Sequence, residues 1–143
     1  MATPEQNMAT VRRFFEAAST ANFDDFDNYM VDKFVTHGDA LFPFFMGRQG
    51  MKMGVGGFKN AFPDARLQIE EIFAEGDKVM AHVRVTGHQE KEWLGVPPAG
   101  KEYSWTATTI IRFDDQGQMV ERWVIEDELG MMQQLGIMPR PQG

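Results

Sequence analysis

Three consecutive acids, Glu126, Asp127 and Glu128, follow what looks like the last strand of the chain. A carboxylate at such a position can act as a general acid or base if it lies in a water-poor pocket within reach of a ligand. Each also has an ordinary structural explanation. Asp127 directly precedes a helical pattern, where Asp is favoured as an N-cap, and Glu126 can be a solvated strand end. The sequence therefore offers Glu126 and Asp127 as alternative candidate bases.

His37 is the histidine best placed to support such a base. It ends a short strand-like segment, 33–37, and from there it could polarise a carbonyl group or shuttle a proton near neutral pH. The alternative is a histidine that is hydrogen-bonded within a loop. The 3 histidines are dispersed and lack His-x-His or Glu-x-x-His spacing. We therefore expect no metal site.

The elements that must position these residues begin with helices and end with strands. Apolar spacing predicts a helix around 11–18 and another over 47–62, with a short helix after Asn22 between them. The apolar face of the short helix is expected to carry Phe23, Phe26 and Met30. Alternation with a period of two predicts strands at 66–74, 78–87, 103–113 and 118–125. Helices followed by an antiparallel sheet indicate the α+β class, in one domain over residues 1–143.

The turn between the last two predicted strands allows two registers. Phe113 lies opposite either Val120 or Met119. In the first register, Glu126 shares a face with the inward residues of the preceding strand. In the second, that place is taken by Asp127, because a shift of one residue turns a side chain to the other face.

The first register is favoured by charge. It brings Arg112 opposite Glu121, a cross-strand pair of opposite charges. In that register one face carries Trp105, Ala107, Thr109, Ile111, Arg122, Val124 and Glu126. We therefore expect Glu126, rather than Asp127, to face a pocket.

Composition excludes several classes of function. The chain has 21 acids against 14 basic residues and no basic cluster, so nucleic acid is not an expected partner. It has no cysteine, which excludes disulfides and thiolate chemistry. No apolar run approaches the ~20 residues that cross a bilayer, and nothing at the start resembles a signal peptide, so we expect a cytoplasmic protein without membrane contact.

Large apolar side chains are abundant, with 12 Phe, 11 Met and 3 Trp. They suit a pocket for an apolar ligand, or they simply fill a Met-rich core. The segment 41–46 (LFPFFM) is a continuous apolar loop between polar flanks. Such a loop is expected to cover a cavity as a lid or to form a dimer contact.

A family resemblance rests on four short sequence motifs: AFPD at 61–64, AEGDKV at 74–79, WLGVPPAG at 93–100 and QLG at 134–136. In this order and spacing they resemble the SnoaL-like polyketide cyclases, also called predicted ester cyclases, of the ketosteroid isomerase and nuclear transport factor superfamily. The resemblance covers nearly the whole chain. It implies a cystatin-like cone (an α+β barrel), in which a curved antiparallel sheet carries N-terminal helices on its concave face around an apolar pocket.

The resemblance also implies a chemistry, an intramolecular aldol condensation without cofactor or metal. A carboxylate removes a proton from carbon and a polar partner stabilises the enolate. Alignment of the shared words puts the family's aspartate at Val124 and its facing histidine at Thr109. A second family histidine falls on Gln89, with His88 one place early. The fold therefore carries over, whereas the cyclase's catalytic residues do not.

The expected function is a cyclase-type enzyme that performs cofactor-free acid–base chemistry at carbon (cyclisation, isomerisation or dehydration) on a small apolar or polyketide-like ligand, as a homodimer. The alternative is a non-catalytic binding protein that keeps the pocket and lacks the aspartate at Val124. The candidate catalytic residues are Glu126, Asp127 and His37. The candidate substrate-binding residues are Phe15, Trp105, Thr109, Trp123 and Val124.

Overall fold

The computed structural model describes residues 2–38 and 46–141. In chain order its elements are α1 (Pro4–Ser19), a 3₁₀ helix (Phe23–Asn28), β1 (Met30–His37), α2 (Gly47–Ala61), β2 (Arg66–Glu75), β3 (Lys78–His88), β4 (Glu102–Phe113), β5 (Met119–Glu126) and α3 (Glu128–Leu135). The strands form one five-stranded sheet in the order β1-β5-β4-β3-β2. β1 runs parallel to β5, and the other neighbours are antiparallel. The predicted α+β fold with a curved sheet is confirmed, although the sheet stays open and is not a closed barrel.

Helix α1 begins with a capping box in which Thr3, the residue before Pro4, is the N-cap. Thr3 Oγ1 accepts the N–H of Gln6 at 3.1 Å, and the Gln6 side chain accepts the N–H of Thr3 at 2.8 Å. The buried face of the helix includes Val11, Phe14, Phe15 and Ala18, at the predicted spacing. This face packs against β2 and β3, which places Phe15 over the concave side of the sheet.

Met30 was predicted on the apolar face of the short second helix, and that assignment is wrong. The helix is of the 3₁₀ type and ends at Asn28, as is usual for a geometry that rarely extends beyond one or two turns. Met30 instead opens β1 and pairs with Met119 of β5. Its side chain is fully buried. The apolar pattern therefore predicted the burial of Met30 correctly, but it assigned the residue to a helix instead of a strand.

β4 and β5 pair in the register that the charge argument favours. Arg112 lies opposite Glu121, and its Nε donates to Glu121 Oε1 at 2.7 Å. A bulge follows at once, and Phe113 lies opposite Met119 rather than the predicted Val120. The bulge absorbs one residue at the turn, so the pairing of the rest of the two strands is as predicted.

The short helix α3 is fastened to the start of β4. The Gln134 side chain accepts the N–H of Ser104 at 2.8 Å and donates to the Ser104 carbonyl at 2.7 Å. Gly136, with φ of +80°, ends the helix in the left-handed conformation. These contacts give the QLG word at 134–136 a structural role.

The connection 89–101 folds back on itself at one end of the sheet. Trp93 and Val96 pair as an isolated bridge around a tight turn. The Gln89 side chain is buried and donates to the carbonyl of Val96 at 2.7 Å. This arrangement holds Trp93 against the buried rings of Phe62 and Trp105.

Most of the apolar segment 41–46 lies outside the described residues, so its predicted role as a lid or dimer contact stays a prediction. Its last residue, Met46, directly precedes α2 and is exposed. No helix among residues 2–38 and 46–141 has both the length and the apolar character needed to span a membrane.

Candidate functional site

A cavity of about 110 Å³ lies between the concave face of the sheet and helices α1 and α2. Most of its lining is apolar and includes Phe15, Val55, Phe58, Trp93, Trp105 and Val124. Among the described residues, its polar side chains are Thr109, Arg122 and Glu126. An apolar enclosure with a few placed polar groups is the usual composition of a small-molecule site.

Strand alternation decides which residues of β5 reach this cavity. Arg122, Val124 and Glu126 line it, whereas Trp123 and Ile125 point to the other face of the sheet. Val124 is 7% exposed and its neighbour Ile125 is 78% exposed. On β4, Thr109 lies opposite Val124, which brings the inward residues of both strands together.

Glu126 is held in place by an indole. Its Oε1 accepts the N–H of Trp105 Nε1 at 2.8 Å. The Trp105 ring is 3% exposed and packs edge-on against Phe58 and parallel to Trp93. Because these neighbours restrict the indole, the hydrogen bond fixes the orientation of the carboxylate within an apolar cavity.

Asp127 is the N-cap of α3. Its Oδ1 accepts the N–H of Gly130 at 3.0 Å, and a Cβ at position 130 would collide with the Asp127 carboxylate. Its side chain is exposed and does not line the cavity. Of the two acids proposed as bases, the structure therefore brings only Glu126 into the cavity.

His37 lies on the opposite face of the sheet, contrary to the expectation that it is placed to support the base. It pairs with Trp123, and their rings stack with centroids 5.2 Å apart. His37 Nε2 lies 2.8 Å from Glu121 Oε2. The hydrogen bond from Arg112, and then that from His37, hold the pKa of Glu121 below its usual range. The inward position next to His37 belongs to Thr36, because side chains alternate along β1.

Trp123 was predicted to bind substrate together with Val124, but adjacent residues of a strand point to opposite faces. Trp123 lies on the outer face with His37, and the predicted contact with a ligand in this cavity does not follow. The other four predicted substrate-binding residues, Phe15, Trp105, Thr109 and Val124, all line the cavity.

Arg122 lines the cavity and was not among the predicted site residues. Its side chain is 9% exposed, and its Nε donates to Thr36 Oγ1 at 3.1 Å. The favoured register already placed Arg122 on the inward face with Val124 and Glu126. The register alone therefore predicts Arg122 as a lining residue. It was not chosen because an arginine in a strand usually lies on the solvated face of a sheet.

The sequence profile described as SnoaL-like polyketide cyclase matches residues 9–135, which is most of the 143-residue chain. The chain belongs to the SnoaL-like polyketide cyclase family. Its resemblance to that family, and the fold expected from it, are therefore confirmed.

Relatives within and around the family cover nearly the full length of the chain. Aklanonic acid methyl ester cyclase AcmA of Streptomyces galilaeus is 28% identical over 92% of this chain and 91% of its own. Aklanonic acid methyl ester cyclase DauD of Streptomyces sp. (strain C5) is 29% identical over 93% of this chain and 84% of its own. TsrD from Streptomyces laurentii superposes with a TM-score of 0.85 over 96% of this chain and 100% of its own, at 22% identity, and so shares the fold.

The positions that the family resemblance assigns to the cyclase aspartate and histidine, Val124 and Thr109, both face the cavity. Neither can serve as a base, and the Thr109 hydroxyl donates to the carbonyl of Trp123 at 3.1 Å. His88 lies elsewhere, with its Nδ1 2.7 Å from Asp64 Oδ2. Among the residues that the structure describes, no three His, Asp or Glu side chains are grouped to hold a metal ion.

Proposed function

We propose that this protein is a small-molecule enzyme of the polyketide cyclase type, with Glu126 as the general base at carbon and no cofactor in the reaction. The observation that carries the proposal is the hydrogen bond from Trp105 to Glu126 inside an apolar cavity. A carboxylate that is oriented, partly buried and surrounded by aromatic rings has the surroundings that proton abstraction from carbon needs. The same rings fit a small apolar or polyketide-like substrate.

In the proposed reaction, the Glu126 carboxylate takes a proton from a carbon next to a carbonyl group, and the C–H electron pair forms an enolate. The enolate carbon attacks a second carbonyl of the same molecule, so that a carbon–carbon bond forms and an alkoxide results. Protonated Glu126 returns its proton to the alkoxide. Substrate and product have the same atoms, nothing is oxidised or reduced, and Glu126 ends as it began. Isomerisation begins with the same step and returns the proton to another carbon.

A second candidate function is non-catalytic binding of the same class of ligand. It is favoured by Val124, which occupies the cavity position that the resemblance assigns to the cyclase base. A protein that lost that base could keep the apolar cavity for transport or sequestration. The two functions differ in whether a bound ligand is converted.

The test is turnover of aklanonic acid methyl ester, the compound in the names of AcmA and DauD, by the wild type, Glu126→Gln and Asp127→Asn. Glutamine keeps the size of Glu126 and an oxygen that can accept the Trp105 N–H. We expect kcat/KM to fall by about 10²–10⁴-fold in Glu126→Gln, because general base catalysis contributes that much. Asp127→Asn is the matched control, since Asn caps a helix about as well as Asp, and its turnover should stay near that of the wild type.

Equal turnover by Glu126→Gln and the wild type would contradict the role of Glu126. Binding of the compound to the wild type without conversion, at protein concentrations that support a single turnover, would favour the binding function instead.

We further propose a homodimer that forms through the outer face of the sheet. The register aligns one apolar row across four strands: Phe73, Met80, Ile110 and Trp123. Phe73 is 58% and Ile110 39% exposed. The adjacent row carries both signs of charge, on Glu75, Lys78, Arg112 and Glu121. An apolar row bordered by charged side chains fits an isologous interface, in which both subunits bury the same patch.

Sedimentation velocity tests the dimer. We expect a dimer for the wild type and a monomer for Ile110→Lys, which puts a charge into the apolar row. Leu129→Lys is the control, because Leu129 is equally an exposed apolar residue but lies on α3. A monomeric wild type at micromolar concentration would refute this arrangement.

A further inference from the structure

The cavity has room for one ring. Its volume is about 110 Å³, and an apolar cavity of about 150 Å³ in another protein holds a benzene molecule. A polycyclic ligand is therefore too large to be enclosed as a whole. Such a ligand has to insert one ring and leave the rest of the molecule outside the cavity.

One wall of this space is the methyl group of Ala107 in β4. Ala107 lies directly opposite Glu126 in the β4–β5 ladder, and residues in such positions have their Cβ atoms about 4.5–5.5 Å apart. Ala107 lines the cavity and is only half-buried, whereas its inward neighbours Trp105 and Thr109 are 3% and 4% exposed. The small side chain at position 107 therefore leaves accessible space next to the proposed base.

A second wall is the backbone of α2 at Gly54. This residue lies in the interior of the helix Gly47–Ala61 and lines the cavity, although glycine is much less favourable than alanine within a helix. The helix packs mainly against β1 and the 3₁₀ helix, and its residues Gly54, Val55 and Phe58 line the cavity across from the sheet. The absence of a side chain at position 54 therefore widens the cavity at the expense of helix stability.

From these observations we infer that Gly54 and Ala107 are specificity-determining residues, which select ligands that present one flat six-membered ring. Larger substrates enter end-on, with that ring beside Glu126. The aromatic side chains Phe15, Phe58 and Trp105 of the cavity contact a flat ring over its faces and edges. The inference rests on the proposed function, since the enclosed ring is the one that carries the enolisable carbon.

The experiment compares two ketones with the same number of carbon atoms, 2-tetralone and 2-adamantanone, by isothermal titration calorimetry at neutral pH. 2-Tetralone is nearly flat and can insert its ketone ring alone, whereas the cage of 2-adamantanone cannot present a single ring. The wild type should bind 2-tetralone at least about tenfold more tightly, because extra bulk in a close-packed apolar site is unfavourable. A smaller difference, or no measurable binding of 2-tetralone at millimolar concentration, would overturn the inference.

Two pairs of variants test the two positions. Ala107→Ile fills the space beside Glu126 with a residue that strands favour, and it should weaken the binding of 2-tetralone at least about tenfold. Thr106→Ile is its control, because adjacent residues of a strand point to opposite faces. Gly54→Ala adds a methyl group to the wall and should weaken binding severalfold. Gly57→Ala, where the new Cβ meets open space, should not change it.

Loss of folding does not explain a difference between the two glycine variants, because alanine favours the helix at both positions. Binding of 2-tetralone with the wild-type affinity by Gly54→Ala, or by a folded Ala107→Ile protein, would contradict the role of that residue. The comparison of the two ketones in the wild type needs no variant and decides the shape of the ligand by itself.

Glu126→Gln separates this inference from the proposed function, because it removes the charge of the side chain and hardly changes its size. It should keep the preference for 2-tetralone over 2-adamantanone. That preference together with full turnover by Glu126→Gln would mean that the cavity selects ligands as inferred and that the proposed base is wrong. Loss of turnover in Glu126→Gln, with no such preference in the wild type, would mean the reverse.

Discussion

The hydrogen bond between Trp105 and Glu126 should be measurable as a coupling energy in the free protein. The donor and acceptor are 2.8 Å apart, which lies in the range of charge-assisted bonds, and such bonds contribute about 1.5–3 kcal/mol. The indole is 3% exposed, but Glu126 is only partly buried. Partial solvation of the carboxylate weakens the bond, so we expect a coupling of about 1.5–2 kcal/mol, the lower part of that range.

A double-mutant cycle isolates this term from packing. Trp105→Phe removes the N–H donor together with part of the ring contact to Phe58 and Trp93, and Glu126→Ala removes the acceptor. Urea denaturation gives the unfolding free energy of the wild type, both single variants and the double variant. The cost of Trp105→Phe should be about 1.5–2 kcal/mol smaller in the Glu126→Ala background, because only the packing loss remains there.

Trp123→Phe combined with Glu126→Ala is the matched control. It makes the same chemical change on the outer face of the sheet, where no contact with the Glu126 side chain is expected. Its cost should be the same in both backgrounds within about 0.5 kcal/mol. If Trp105→Phe also cost the same in both backgrounds within about 0.5 kcal/mol, the reasoning that Trp105 holds the carboxylate would be refuted.

Three other stability predictions follow from local geometry, each read by urea denaturation. Asp127→Ala removes the acceptor for the Gly130 N–H and should cost about 0.5–2 kcal/mol, whereas Asp127→Asn should cost little. In Gly38→Ala, φ is +87° and the new Cβ would lie 2.6 Å from the carbonyl oxygen of Val124. Backbone strain alone costs about 1–3 kcal/mol, and the collision should add to that cost. Gly76→Ala should cost less, because φ is +59° but the new Cβ would meet open space. The hydrogen bond to Asp64 raises the pKa of His88 above its ordinary value, so the stability lost in His88→Gln should be larger at about pH 5.5 than at about pH 9.

The sign of the last prediction follows from linkage. A histidine whose folded pKa is raised contributes fully below its unfolded pKa, and the contribution fades as pH rises through the folded value. Asp64, whose pKa is lowered by the His88 backbone N–H and then by the His88 side chain, is still ionised at the lower pH. An equal loss at both pH values would contradict the ion pair. Equal costs of Gly38→Ala and Gly76→Ala would contradict the glycine prediction. An Asp127→Asn protein as unstable as Asp127→Ala would contradict the capping prediction.

The sequence was sufficient for the last two strands because their pairing is local. The turn between them is short, and the Arg112–Glu121 pair discriminated between two registers that differ by one residue. From that register the inward direction of Glu126 followed, and the acid before α3 was recognisable as a cap from its position. Local chemistry of this kind can be read without a structure.

The placement of His37 could not be read in the same way. β1 pairs with β5 in parallel and with an irregularity after Met30, and these residues are about 85 positions apart in the chain, so no turn fixes which side chains face inward. The pattern of 33–37 therefore does not reveal that Thr36, rather than His37, points inward. For Arg122 the reason is different. The strand register predicts that its side chain points inward, but it does not predict that the guanidinium is buried.

The most direct test of the central claim, that Glu126 removes a proton from carbon inside this cavity, is hydrogen exchange on a simple ketone. The bicyclic ketone 2-tetralone is incubated in D₂O with the wild type or with Glu126→Gln, and loss of its α-protons is followed by proton NMR. We expect the wild type to accelerate the exchange and Glu126→Gln to reduce it to the rate in buffer, whether or not any cyclisation follows. Acceleration of the same size by both proteins would contradict the claim.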